Sequence, residues 1–138
     1  MPVRTYIDAG VLIAALRGER AAAAIALSFL YDPLREYVTS DYVKIELLPK
    51  CIFHKNEDEQ QFYEEFFRTN AIHVPSSDEL LALAIDEGGK TGISGMDAIH
   101  VACALVAQAQ EIITTEKTKK LMHRADGRNG IKVISINP

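Results

Sequence analysis

Residues 94–105 read SGMDAIHVACAL: a Ser followed three places later by an Asp, the pattern that caps the free amides of a helix start, and then a run that is apolar on every side. A helix from Met96 to about Gln108 without a polar face belongs in the middle of a fold, covered by other elements. Asp97 and His100 are its exceptions. On either side of it, β-branched and aromatic runs alternate with helical periods. Residues 4–7 (RTYI), 36–39 (EYVT), 71–74 (AIHV), 111–114 (EIIT) and 132–136 (KVISI) predict strands. Residues 11–16, 20–34 and 57–69 predict helices, with Asp32-Pro33 closing the second. Ser40 or Asp41 caps another through Leu48, where Pro49 is expected to break or kink it. Ser76 with Glu79 opens a helix to about Glu87, and Gly88, Gly89 and Gly92 form the connection that follows. A helical piece near residues 117–124 and the turn DGRNG (126–130) separate the last two strands. Strands this apolar have no wet face, so the alternation predicts an α/β three-layer α/β/α sandwich with a mostly parallel central sheet of about five strands.

The 138 residues fit one domain spanning 1–138, and 48% hydrophobic with 25% charged residues excludes a disordered chain. The longest uncharged apolar stretches, 21–31 and 98–110, fall short of the roughly 18 to 20 residues that cross a bilayer, so no membrane span is expected. The opening MPVR runs straight into a strand without the features of a secretory signal. Cys51 and Cys103 are far apart and in no metal-ligand spacing, which reads as reduced core thiols in a cytoplasmic protein. With 15 basic against 19 acidic residues the chain lacks the balance of an obligate duplex binder. The charge is nevertheless segregated. Lys117, Lys119, Lys120, Arg124, Arg128 and Lys132 face a single acid, Asp126, in one short stretch. That stretch is either a solvated surface or a patch that attracts phosphates.

In an open parallel sheet, ligands bind beyond the carboxyl ends of the strands. Four acids fall there: Asp8 after the first strand, Glu46 in the helix after the second, Asp97 in the first turn of the buried helix, and Glu116 just past the fourth strand. Singly, each has a plainer role: Asp97 as the capping-box acid, Asp8 as a turn residue, Glu46 as a partner of Lys44 or Lys50, Glu116 as a surface acid among lysines. Jointly they repel one another unless a hard divalent cation compensates, and Mg²⁺ or Mn²⁺ fits an all-oxygen set. His100, one turn beyond Asp97, reads as a satisfied core histidine rather than a ligand. A permissive phosphate-loop match at residues 84–91 (AIDEGGKT) lies within a helical period and lacks the first glycine, so no nucleotide site is read from it.

The segments TYIDAGVLIAAL, SDYVKIELLPK, SGMDAIHVACAL and IITTEKTKKL together resemble the PIN domain family, the nuclease fold of many prokaryotic toxin-antitoxin toxins, over nearly the whole chain. The resemblance implies a divalent-metal-dependent ribonuclease that hydrolyses phosphodiester bonds of single-stranded RNA, with Asp8, Glu46 and Asp97 as its acidic triad. Asp8 and Asp97 would contact the Mg²⁺ or Mn²⁺ directly, Glu46 and Glu116 would hold its water or a second ion, and Thr114 would orient a water or ligand. Lys117, Lys119, Lys120, Arg124 and Arg128 would guide the RNA backbone. Three positions depart from the family pattern: Ala9 replaces a frequent Thr or Ser, Glu116 a usual aspartate, and Lys119 a frequent aromatic residue. The alternative is a catalytically degenerate RNA- or protein-binding module of the same fold. A cognate antitoxin and a homodimer are the implied protein partners, with the apolar helices at 11–16 and 21–34 either their docking surface or ordinary core.

Overall fold

The computed structural model describes residues 2–69 and 71–137. Strands β1 (Val3–Ile7), β2 (Arg35–Ser40), β3 (Ala71–Val74), β4 (Glu111–Thr114) and β5 (Lys132–Ser135) form one parallel sheet in the order β3-β2-β1-β4-β5. Helices α1 (Ala9–Arg17), α2 (Arg20–Leu30), α3 (Asp41–Phe53), α4 (Glu57–Thr69), α5 (Asp78–Thr91) and α6 (Gly95–Val106) fill the crossovers. Right-handed connections step from β1 to β3 with α1 to α4 on one face, and the return to β4 carries α5 and α6 over the other. Side chains agree. Thr5 is in register with Tyr37 and Tyr6 with Val38, so Tyr6 and Tyr37 point to opposite faces. The Tyr6 ring lies 5.7 Å from His100 of α6, while Tyr37 lies 6.0 Å from Phe66 of α4. The expected three-layer α/β architecture is the one that forms.

The inner strands are buried on both sides, which is why β4 is covered from end to end and why Tyr6 and Ile7 of β1 are fully buried. Glu111 is tolerated there because Arg35 pairs with it at 2.6 Å and the Thr5 hydroxyl donates to it at 2.8 Å. Among the described residues no helix is long and apolar enough to cross a membrane.

Several boundaries differ from expectation, among them the end of α2, at Leu30 instead of residue 34. Pro49 lies inside α3, which continues to Phe53. Buried Leu47 and Cys51 anchor the turns on either side of the proline, so packing offsets the lost backbone bond, about 3 kcal/mol in an unsupported helix. The cap of α5 is Ser77, whose hydroxyl accepts from the Leu80 amide at 3.0 Å, because Ser76 is bound instead to Asp41. That helix runs through Gly88 and Gly89 to Thr91 and stops at Gly92, whose φ of 73° suits glycine. The lysine-rich piece after β4 is a short 3-10 helix (Leu121–Ala125) with only Met122 and Ala125 buried, too little apolar surface for a longer α-helix. Residues 84–91, the weak phosphate-loop match, are helical and form no loop.

Candidate active site

Strand order reverses at β1, with β2 on one side and β4 on the other, and the crevice at this switch point opens where both strands end. Asp8 leaves β1 there. Its amide donates to the Ile113 carbonyl at 3.0 Å and its backbone caps α1, yet its carboxylate makes no capping bond and turns to the cleft instead. The Thr114 hydroxyl at the end of β4 donates to Asp8 Oδ2 at 2.8 Å and accepts from the Glu116 amide at 3.1 Å. One hydroxyl thus fastens the first acid and positions the loop of the fourth. Its hydrogen is committed to Asp8. His123 Nε2 donates to the Glu116 carbonyl at 2.8 Å, a second tie on the same loop.

Glu46 comes from α3 and meets His100 of α6: Glu46 Oε1 lies 2.6 Å from His100 Nε2, which is 4.0 Å from Asp8 Oδ1. His100 is 3% exposed, and its Nδ1 lies 2.6 Å from the buried Tyr6 hydroxyl, itself 2.9 Å from Ser40 Oγ. The histidine is satisfied and buried as expected, but its partner is an acid of the cleft, a link that spacing along the chain does not disclose. Asp97 stands one turn earlier on α6, its amide bound to Ser94 Oγ at 3.2 Å. Among the described residues its carboxylate has no hydrogen-bond partner. Asp8, Glu46, Asp97 and Glu116 line one cleft of about 380 Å³ with Ile13 and Met96 on its walls. A larger groove of about 610 Å³ between α5 and α6 contains no ionisable group, so the chemistry belongs to the smaller cleft.

Burial is the main influence on the Asp8 carboxyl and raises its pKa, with Glu46 adding to the effect and His100, Thr114 and the Ala9 amide opposing it; the net direction is up. Burial alone would lower the His100 pKa, but the Glu46 hydrogen bond and the charges of Asp8, Glu46 and Asp97 outweigh it, and the ring is held above its ordinary value. Among the described residues, those lining the cleft include these four carboxylates and no lysine or arginine. One oxygen each from Asp8 and Glu46 and one His100 nitrogen lie within 4.8 Å of one another, and Asp97 and Glu116 add two further carboxylates to the same cleft. This oxygen-rich donor set fits a hard divalent cation.

Gly10 decides how closely the Glu116 loop approaches α1. A Cβ there would sit 2.3 Å from Thr115 Oγ1 and 3.2 Å from its Cβ, so the loop itself would have to move. Gly10→Ala is expected to cost roughly 1–3 kcal/mol of stability, read by thermal denaturation. Unchanged melting would show that the loop yields freely.

The basic stretch divides. Lys117, Lys119 and Lys120 are exposed in the residues that follow Glu116 of the cleft. Arg124 instead donates to the Thr91 carbonyl at the end of α5, at 3.1 Å, and Arg128 lies 3.5 Å from the buried Glu87 carboxylate. Both arginines reach α5 from the segment that follows β4.

A family model described as PIN domain matches residues 5–125. No curated protein matches the chain significantly. Among solved structures, a toxin-antitoxin complex from Klebsiella pneumoniae is similar at 19% identity and a TM-score of 0.64, covering 92% of this chain and 94% of its own. VapBC2 from Rickettsia felis, bound to a DNA fragment from their promoter, matches at 13% identity and a TM-score of 0.63, covering 96% and 98%. FitAcB from Neisseria gonorrhoeae matches at 15% identity and a TM-score of 0.62, covering 96% and 97%. At these identities the likeness is one of fold.

Proposed function

Because the chain belongs to the PIN domain family, whose members are generally nucleases that use divalent metal ions, we propose that it is a metal-dependent endoribonuclease of the toxin type, hydrolysing phosphodiester bonds of single-stranded RNA. The observation that carries this reading is the convergence of Asp8, Glu46, Asp97 and Glu116, from four distant segments, on one cleft at the switch point of the sheet. Asp8 and Asp97 are the proposed direct donors to Mg²⁺ or Mn²⁺, with Glu46 and Glu116 completing the negative wall. When bound, such an ion would supply positive charge that offsets the negative phosphate and would make water nucleophilic at neutral pH. Thr114 keeps Asp8 oriented and the Glu116 loop closed. Lys117, Lys119 and Lys120 draw the RNA backbone toward the acids.

One of the fold neighbours is a toxin-antitoxin complex, and an antitoxin is the proposed protein partner of this chain, alongside a homodimer. Ile13, Leu16 and Ile25 of α1 and α2 are each about two-fifths exposed (39%, 42% and 40%) and offer the apolar surface such a partner needs. A second reading, an RNA- or protein-binding module without catalysis, draws on Ala9, which brings no hydroxyl to the cleft, and on the longer side chain of Glu116.

Incubation of unstructured RNA with the protein separates the two. Cleavage is expected with Mg²⁺ or Mn²⁺, none with a chelator, and Glu116→Asp should cleave at least as fast as the native chain. RNA binding that ignores the chelator, with no cleavage under any condition, would establish the second reading. Paired Lys119→Ala and Lys120→Ala substitutions should weaken RNA binding and flatten its salt dependence by about 1 to 2 in log–log slope, measured by fluorescence anisotropy.

A further inference from the structure

Glu46 is the most exposed acid of the cleft. It projects from α3 beside Ile45, which is 67% exposed, and 36% of its own side chain faces solvent. A glutamate so placed has several rotamers, and ordering it for a ligand costs entropy. His100 removes that freedom. Its ring is held on both nitrogens and tilted against Tyr6, and the chain of bonds behind it begins at Ser40, whose hydroxyl also accepts from the Val43 amide at 3.3 Å as the cap of α3. The relay Ser40, Tyr6, His100, Glu46 therefore leaves α3 at its cap, crosses β1 and α6, and returns to α3 at Glu46.

Building on the metal-site reading above, we infer that His100 is the positioning residue for Glu46: its Nε2–H holds one carboxylate oxygen in place beside Asp8, leaving the other as the free acceptor, and the ring is not itself a ligand of the ion. The direction of this bond does not depend on the charge of the ring. With a neutral ring, Nδ1 accepts from the Tyr6 hydroxyl and Nε2 carries the proton. With a charged ring, both nitrogens donate and Tyr6 passes its own hydrogen to Ser40. Glu46, when ionised, only accepts. To ligate an ion, Nε2 would have to give up the 2.6 Å bond it makes to Glu46.

The test is Mn²⁺ binding, followed by electron paramagnetic resonance, in the native chain, His100→Leu and His100→Gln. The leucine variant should bind Mn²⁺ roughly 10- to 100-fold more weakly, the usual effect of removing a group that orients a metal ligand. The glutamine variant, whose amide nitrogen reaches about where Nε2 lies, should recover most of the loss. Spin-echo modulation of Mn²⁺ bound to the native chain should show no ¹⁴N coupling from an imidazole. Such a coupling, leucine binding as tight as native, or glutamine as weak as leucine would overturn the role. A native chain that binds no Mn²⁺ would instead defeat the proposed function itself. Nitrogen NMR of the ion-free native protein gives a readout independent of variant folding: the Nε2 proton should appear downfield and lose that position in Glu46→Ala, and a signal unmoved by that change would also overturn the assignment.

Discussion

The Asp8→Asn protein is expected to lose RNA cleavage by roughly 10²- to 10⁴-fold and yet to melt higher than the native chain. Both effects come from one feature, a carboxylate that is mostly buried and has Glu46 for a neighbour. Because its pKa is raised in the folded state, the folded chain holds this proton more tightly than the unfolded chain does. Stability therefore falls as pH climbs from the ordinary carboxylate range through the raised folded value, and at neutral pH the ionised group is a burden. Asparagine removes the charge while its amide oxygen still accepts from Thr114, so a gain of about 1 kcal/mol, or a few degrees in melting temperature, is expected. Asp97→Asn should be as inactive but thermally close to neutral, since among the described residues its carboxylate makes no hydrogen bond that asparagine could lose. Initial cleavage rates with Mn²⁺ and melting curves at neutral pH check both variants. Undiminished cleavage by either, or a fall of several degrees in the Asp8 variant, contradicts this account.

The largest loss of stability away from the cleft is expected at Glu59. Its carboxylate accepts from the buried Tyr63 hydroxyl at 2.6 Å and from Asn56 at 2.9 Å, and forms an ion pair with Arg17 that ties the end of α1 to α4. Glu59→Ala strands the buried Tyr63 hydroxyl, while the half-exposed Arg17 guanidinium returns to water, with an expected loss of about 1–3 kcal/mol. Burial pushes the Glu59 pKa up, but the Tyr63 and Arg17 hydrogen bonds outweigh it and the net direction is down. A depressed carboxyl contributes stability that is present above the ordinary glutamate range and is lost as pH falls through the folded value. Glu59→Gln keeps an acceptor for Tyr63, so it should cost less at neutral pH and flatten the acid side of the stability curve. Chemical denaturation across pH measures this; an acid limb identical to native would mean that the charge contributes nothing.

The strand and helix alternation, the parallel sheet and the end of it that gathers the acids were all legible in the sequence. They depend on local periodicity and on a topological rule that holds for any sheet of this kind. What was not legible depended on contacts between distant residues. Pro49 stays helical only because Leu47 and Cys51 are buried around it. Ser77 replaces Ser76 as a cap because Asp41, far back in the chain, competes for Ser76. His100 could be read as a core residue but not as the partner of Glu46, since neither residue carries any local sign of the other. Arg124 and Arg128 read as a basic patch alongside the lysines, and only the folded chain shows that these two arginines reach α5.

The tie between Asp8 and Thr114 also sets a timetable. These two residues are 106 positions apart, and β1 has a neighbour on only one side until residues 111–114 join it. During translation the first acid is made early and stays unpaired on a half-flanked strand while α1 to α6 are synthesised. The crevice can close only after β4 has cleared the ribosome, so the acids of the cleft are brought together only once residues 111–114 have been made.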